Sequence, residues 1–364
     1  MKKLSFLTKP AIALGVGVLC APQALAVSSY TLNQTNINAA AAAAGHNTGG
    51  IFCDDGGENF CKLNEEGNWI QEGDIDLTTV EINAGTPIRG LVIQDNVNIS
   101  NPDNATIKGN IDVTGAANVT LTDLNLTGNL NIANADAEVT IDGGTYTSPE
   151  MSGALNVENS KSVTVNNATF STGDDNGASA AYISGGDITI TGGSFTSNGD
   201  NGVEFSNSIS SLNISGGTFS GGATGIAFGG TPTGTISLTG GTFTGTGTDG
   251  RAIMVLGGDD TSVISNMLAS GYHFTNDTIE SDDGVYIAGT TTVASDNESK
   301  DSEQTIDSVT VTSTKKNGIG APDTGAPTAE SSNAKSDSIL AAVATFAVVI
   351  FGAILVKKHS KKEA

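Results

Sequence analysis

The chain has 364 residues, with 16 lysines and arginines against 39 aspartates and glutamates, a net charge of −23. That balance repels a phosphate backbone and excludes an electrostatic nucleic-acid binder. Abundant glycine with only 5% aromatic residues would suit a disordered chain, and periodicity decides against that for most of the length.

The N-terminus reads as an export signal. Lys2 and Lys3 open it, Ala11 to Ala21 is mostly apolar, and Ala24-Leu25-Ala26 is a small-x-small cleavage pattern. A signal peptide over 1–26, cut after Ala26, is predicted. Cys20 raises a lipoprotein reading, against which the preceding Leu19 is too large.

Residues 27–73 are expected to form an N-terminal cap. Asn38 before Ala39 to Ala44, with Gly45 behind, has the composition of a capped helix. Cys53 and Cys61 are the cysteines left after cleavage, and an oxidising exterior predicts a disulfide between them around the Asp54-to-Phe60 loop. A redox or metal pair is the alternative, with no neighbouring ligand set to favour it. Trp69, the sole tryptophan, reads as cap packing in preference to a sugar-stacking platform.

A repeat dominates residues 74–291. Tyr146, Phe170, Phe195, Phe219 and Phe243 stand 24, 25, 24 and 24 residues apart. Each closes a similar phrase, as in Ile190-Thr191-Gly192-Gly193-Ser194-Phe195 and Ile214-Ser215-Gly216-Gly217-Thr218-Phe219. Before each phrase apolar and polar residues alternate with the strand period, as in Val163-Thr164-Val165. A Gly or Asn pair supplies a permissive turn. A second short apolar strand follows each aromatic (Tyr182-Ile183, Val203-Glu204-Phe205, Ile226-Ala227-Phe228, Ile253-Met254-Val255), behind a proposed turn column of Gly177, Gly202, Gly225 and Gly250. Repeats of this length read as coils of a parallel β-helix, each buried only by its neighbours. The pattern resembles the right-handed, pectate-lyase-like β-helices of bacterial surface proteins. Shorter coils extend upstream through Leu126 and Ile107 to Leu91 and Ile75, giving roughly nine or ten coils and a stack of about 45–50 Å. Met267 to Val293 is expected to close the bottom.

That resemblance raises polysaccharide cleavage. A lyase needs a basic residue to take a proton beside a uronate carboxylate, and cations to neutralise that carboxylate. Arg251, next to Asp249, is the single catalytic candidate, and an exposed turn residue is its plainer reading. The Gly-His-Gly and Arg-x-Lys phrases of polygalacturonase-type hydrolases do not occur, and His46, His273 and His359 lie far apart in the chain. Asp174, Asp175, Asp200 and Asp249 fall near one turn column, where stacked carboxylates suit calcium. Asp is equally an ordinary turn former.

Residues 292–320 turn to Ser, Thr, Asp, Glu and Lys and read as a solvated, disordered stalk. At 321–364, Ala321-Pro322-Asp323-Thr324-Gly325 precedes an uncharged run over 339–356 and the basic Lys357-Lys358-His359-Ser360-Lys361-Lys362. The run would span about 27 Å as a helix, with lysines placed by the positive-inside rule. The order resembles the sorting signal of cell-wall-anchored proteins of Gram-positive-type bacteria. Pro322, Asp323, Thr324 and Gly325 match its Leu-Pro-x-Thr-Gly, and Ala321 replaces the Leu. The resemblance implies a sortase and peptidoglycan as partners, cleavage between Thr324 and Gly325, and a transient membrane anchor.

The expected protein is thus an all-β, right-handed parallel β-helix with an N-terminal cap, a stalk and a C-terminal transmembrane helix. It is expected outside the cell, wall-anchored and non-catalytic, binding a glycan or protein ligand, with no cofactor besides the open case of calcium. A surface lyase for acidic glycans and an inert coat or spacer are the alternatives.

Overall fold

The computed structural model describes residues 28–54, 59–82, 85–115, 117–149, 152–173 and 177–296. They fall within one compact unit, Met1–Ser302. The signal peptide with Ala24 and Ala26, the candidates Asp174 and Asp175, most of the stalk, the sorting motif and the 339–356 run lie outside the described residues. Among the described residues no helix is long and apolar enough to cross a membrane.

The chain winds into a right-handed parallel β-solenoid of about seven turns. One winding shows the plan: Ser162–Asn166 on a first sheet, Thr169–Thr172 on a second, Ala181–Ser184 on a third. The next winding, Asp187–Ile190, Ser194–Ser197 and Asn201–Phe205, pairs parallel below it in all three sheets. Because side chains alternate across a strand, Val163 and Val165 point inward while Thr164 faces out. Val and Ile make up most of the first sheet's inner columns, with Leu121, Leu212 and Leu238 among them, and β-branched side chains fit the pleated surface.

Aromatic residues fill the inner column of the second sheet. Leu126, Tyr146, Phe170, Phe195, Phe219 and Phe243 stand in strict register. The five rings stack with centroids 4.9 to 5.1 Å apart, which is one coil per ring. All five are fully buried.

The bend between first and second sheets explains the Gly and Asn pairs. Asn104, Asp123 and Asn167 sit there at φ of 54°, 52° and 55°, and Gly193, Gly217 and Gly241 at 99°, 103° and 106°. Only Gly and, less comfortably, Asn or Asp adopt this left-handed backbone. At Gly193 a Cβ would also lie 2.2 Å from the Ala168 carbonyl oxygen of the coil above.

Several expectations need correction. The stack has about seven turns, not nine or ten, because Ile75–Asp76 and Gly90–Ile93 are the second- and third-sheet strands of a single winding. That winding opens with Gly67–Gln71, so Trp69 lies in the solenoid interior. It is fully buried, stacks on Tyr30 at 4.9 Å and donates Nε1–H to the Glu65 carbonyl at 3.1 Å. The expected glycine turn column is not one. Gly202 and Gly225 are strand residues in register, whereas Ala180 and Ala252 stand where Gly177 and Gly250 were placed. The start of the expected stalk, up to Ser295, belongs to a strand, Thr290–Ser295.

Both ends of the stack are covered. On top, a helix over Gln34–Ala42 starts a turn earlier than Asn38, because the Asn33 side chain accepts the Asn36 N–H at 2.8 Å. Its Ile37, Ala40 and Ala41 close the core. The hairpin Ile51–Cys53 and Cys61–Leu63 caps the third sheet, and the directly opposed Cys53 and Cys61 form a disulfide. At the bottom, Gly284–Ala288 and Thr290–Ser295 pair antiparallel with the last strands of the third and second sheets. Reversing direction ends the parallel ladder, which would otherwise leave an open edge.

Candidate functional site

Two outward faces carry the chemistry that the windings repeat. The first is the outer face of the second sheet. Its two upper windings place Asp76 and Lys108, an ion pair, in the Thr127 column; from there down its outward positions run Asn125 and Thr127, Thr145 and Thr147, Thr169 and Ser171, Ser194 and Thr196, Thr218 and Ser220, Thr242 and Thr244. From Asn125 down none of these side chains is charged, in a protein of net charge −23. Each is half-buried or exposed. The hydroxyls stand one coil apart along the stack and two residues apart along each strand, about 4.8 by 6.8 Å. Neighbours engage each other, as Thr147 and Ser171 do at 3.0 Å. The aromatic stack directly beneath holds this lattice at a regular pitch.

The second is the outer column of the third sheet: Asp112, Asn131, Asn156, Tyr182, Glu204, Ala227 and Met254, followed by Tyr286 of the antiparallel cap. Its upper part is an amide ladder. Asn131 Nδ2 donates to Asp112 Oδ1 at 2.6 Å, and Asn156 Nδ2 to Asn131 Oδ1 at 3.0 Å. Burial pushes the Asp112 carboxyl above its ordinary range, and the Asn131 bond opposes that. Lower down, Glu204 and the nearby Asp200 are both held above the usual carboxylate range. Burial is the first cause for each. For Glu204 the Asp200 charge adds to it, taking the group to about 7.

No family model, curated protein or solved structure matches the chain. Arg251 sits at the third sheet's last parallel strand, Arg251–Leu256. Its guanidinium lies 4.3 Å over the Tyr286 ring, and Nη1 donates to the Met254 sulfur at 2.9 Å. Tyr286 in turn donates its hydroxyl to Glu280 at 2.8 Å. Arg251 thus fastens the bottom cap, and its charge is not among the causes of the Glu204 shift.

Of the acidic turn candidates within the described residues, Asp200 and Asp249 are not brought together. Asp249 is exposed in the loop before Arg251, while Asp200 lies partly buried at a corner two windings above it. Among the described residues no three Asp, Glu, His or Cys side chains gather as metal ligands. His273 is at the base, paired with Asp296 at 2.8 Å, and His46 is exposed near the top. A shallow groove of about 420 Å³ lies between Ser28, Glu66, Gly67, Asn96, Asn98 and Asn118.

Sequence reasoning overlooked Glu204 and Ser179. The signal for Glu204 was present: it is the outward residue of Val203-Glu204-Phe205, four positions after Asp200. Its burial depends on how the neighbouring corner packs, which no spacing reveals.

Proposed function

We propose that the protein is a wall-anchored, non-catalytic surface protein that adheres to neutral, hydroxyl-rich surfaces such as uncharged glycans. The observation that carries this reading is the uncharged Thr and Ser stretch of the second sheet's outer face, below the Asp76–Lys108 pair. A strongly acidic protein that keeps acids off this face from Asn125 down, while Glu138, Asp142 and Asp187 occupy the first and Asp112, Glu158 and Glu204 the third, has a stretch suited to a neutral partner. Repetition supplies the affinity: each winding offers the same few weak hydrogen bonds, and a rigid array engages them together. The anchoring half rests on Pro322, Asp323, Thr324 and Gly325 with the apolar run and lysines behind them.

The pectate-lyase-like resemblance keeps cleavage of acidic glycans as the contrasting reading. Arg251, its one basic candidate, is engaged by Tyr286 and Met254. Retention of the full chain on insoluble neutral polysaccharides tests the proposal, alongside Thr169→Asp and Thr218→Asp. The wild type should be retained, and the acidic variants should lose at least tenfold in affinity with an unchanged circular dichroism spectrum. Equal retention of the variants, or unsaturated uronate ends released from acidic polysaccharide, would sink it.

A further inference from the structure

The corner between second and third sheets places two carboxyl groups against one hydroxyl. Ser179 is buried, just ahead of the strand Ala181–Ser184, and its Oγ lies 3.1 Å from Asp200 Oδ2 and 3.4 Å from Glu204 Oε2. Asn201 Nδ2 stands 3.2 Å from the same oxygen and can only donate to it. The three partners come from the next winding down, so the contact ties one coil to the following one. Around it, Ser197 Oγ donates to the Ala178 carbonyl at 2.7 Å and accepts the Asp200 N–H at 3.1 Å.

A hydroxyl has one proton to give. It serves Asp200 or Glu204, not both, while it accepts from Asn201. With both carboxylates ionised, one carboxylate oxygen faces the Ser179 oxygen with no proton between them. One added proton completes the set: Glu204 donates to Ser179 Oγ, Ser179 donates to Asp200, and Asn201 fills the second lone pair.

We propose that Ser179, Asp200 and Glu204 form a proton-binding site that fastens two successive windings when occupied and loosens them when its proton leaves. The surrounding charges agree. Above Glu204 on the same face stands Tyr182, itself held above its ordinary range by burial and by Glu204, with Glu158 beyond it. Below are uncharged Thr224–Phe228 and then Met254. Arg251 is occupied with Tyr286 and Met254. Asp174 and Asp175 precede Ser179 in sequence, outside the described residues. Among the described residues no cation offsets the pair, and burial with the Asp200 charge pushes Glu204 up to about 7 from its ordinary 4.5.

The direction follows from linkage. A carboxyl whose folded pKa is raised takes up a proton on folding between the two values. The site's contribution is complete below about 4.5 and is lost as pH rises to about 7. The other acids also repel at high pH, so the readout is a difference between variants. Thermal midpoints of the full chain and of Glu204→Gln are compared from pH 4.5 to 8. The amide keeps the shape, stays neutral and can donate to Ser179. The wild type should lose several degrees more than Glu204→Gln over that range, and the variant should be the more stable at pH 8. In Asp200→Asn the inflection should move to lower pH, since the neighbouring charge is gone. Parallel slopes for wild type and Glu204→Gln would overturn the proposal, as would an inflection that Asp200→Asn leaves in place.

Discussion

Tyr146 heads the aromatic column with a hydroxyl that is fully buried and has no hydrogen-bond partner. Burial, with the Asp123 charge behind it, holds its proton far above the usual phenol range. A buried polar atom left without a partner is a net cost, whereas the ring repeats the stacking that Phe170 continues below. Tyr146→Phe should therefore raise the thermal midpoint, by about 1 kcal/mol of added stability. A lowered midpoint would mean that the hydroxyl has a role the stack does not explain. The aromatic column itself was legible in the sequence, because a spacing near 24 puts one ring on each winding. What spacing cannot reveal is which outward residue becomes enclosed. Glu204 and Asp187 are both outward strand residues, yet Glu204 is half-buried under a corner while Asp187 is exposed.

Among elements, the turns were easier to read than the ends. The bend after each first-sheet strand needs a left-handed residue, and the Gly and Asn pairs announce it. Gly193→Ala should destabilise by more than about 1 kcal/mol, through backbone strain at φ 99° and the clash with the Ala168 carbonyl. The measurement is the urea midpoint with an unchanged slope. An equal midpoint would mean the bend can relax. The glycines at 202 and 225 misled because they resemble turn residues but sit inside strands. There a Cβ at Gly202 would come 2.6 Å from the Gly225 carbonyl oxygen and one at Gly225 2.6 Å from that of Ala252, so close backbone approach selects them. The caps were legible only as places where periodicity stops. Reversed strand direction at Gly284–Ala288 and Thr290–Ser295 depends on non-local pairing, which local alternation cannot encode.

At the scale of the whole molecule, the three faces share one backbone and differ in chemistry. The interior columns make each winding interchangeable with the next, so outward residues vary without disturbing the stack. That freedom lets the second sheet stay uncharged below Lys108, lets the third collect Asp112, Tyr182 and Glu204, and leaves the acids elsewhere for solubility. The adhesive and proton-binding proposals use different sheets and fail separately. Loss of the pH difference would leave the hydroxyl face intact, and loss of retention would leave the coil-to-coil contact intact.

Both rest on neighbouring windings holding fixed register, and paired cysteines measure that directly. Thr147 stands opposite Ser171, and Thr196 lies one winding further on. Thr147→Cys with Ser171→Cys should form a disulfide on mild oxidation, since adjacent parallel strands lie about 4.8 Å apart. Thr147→Cys with Thr196→Cys, about 10 Å apart and beyond the reach of the bond, should not. Failure of the first pair, or equally fast closure of the second, would contradict the stacking on which both proposals depend.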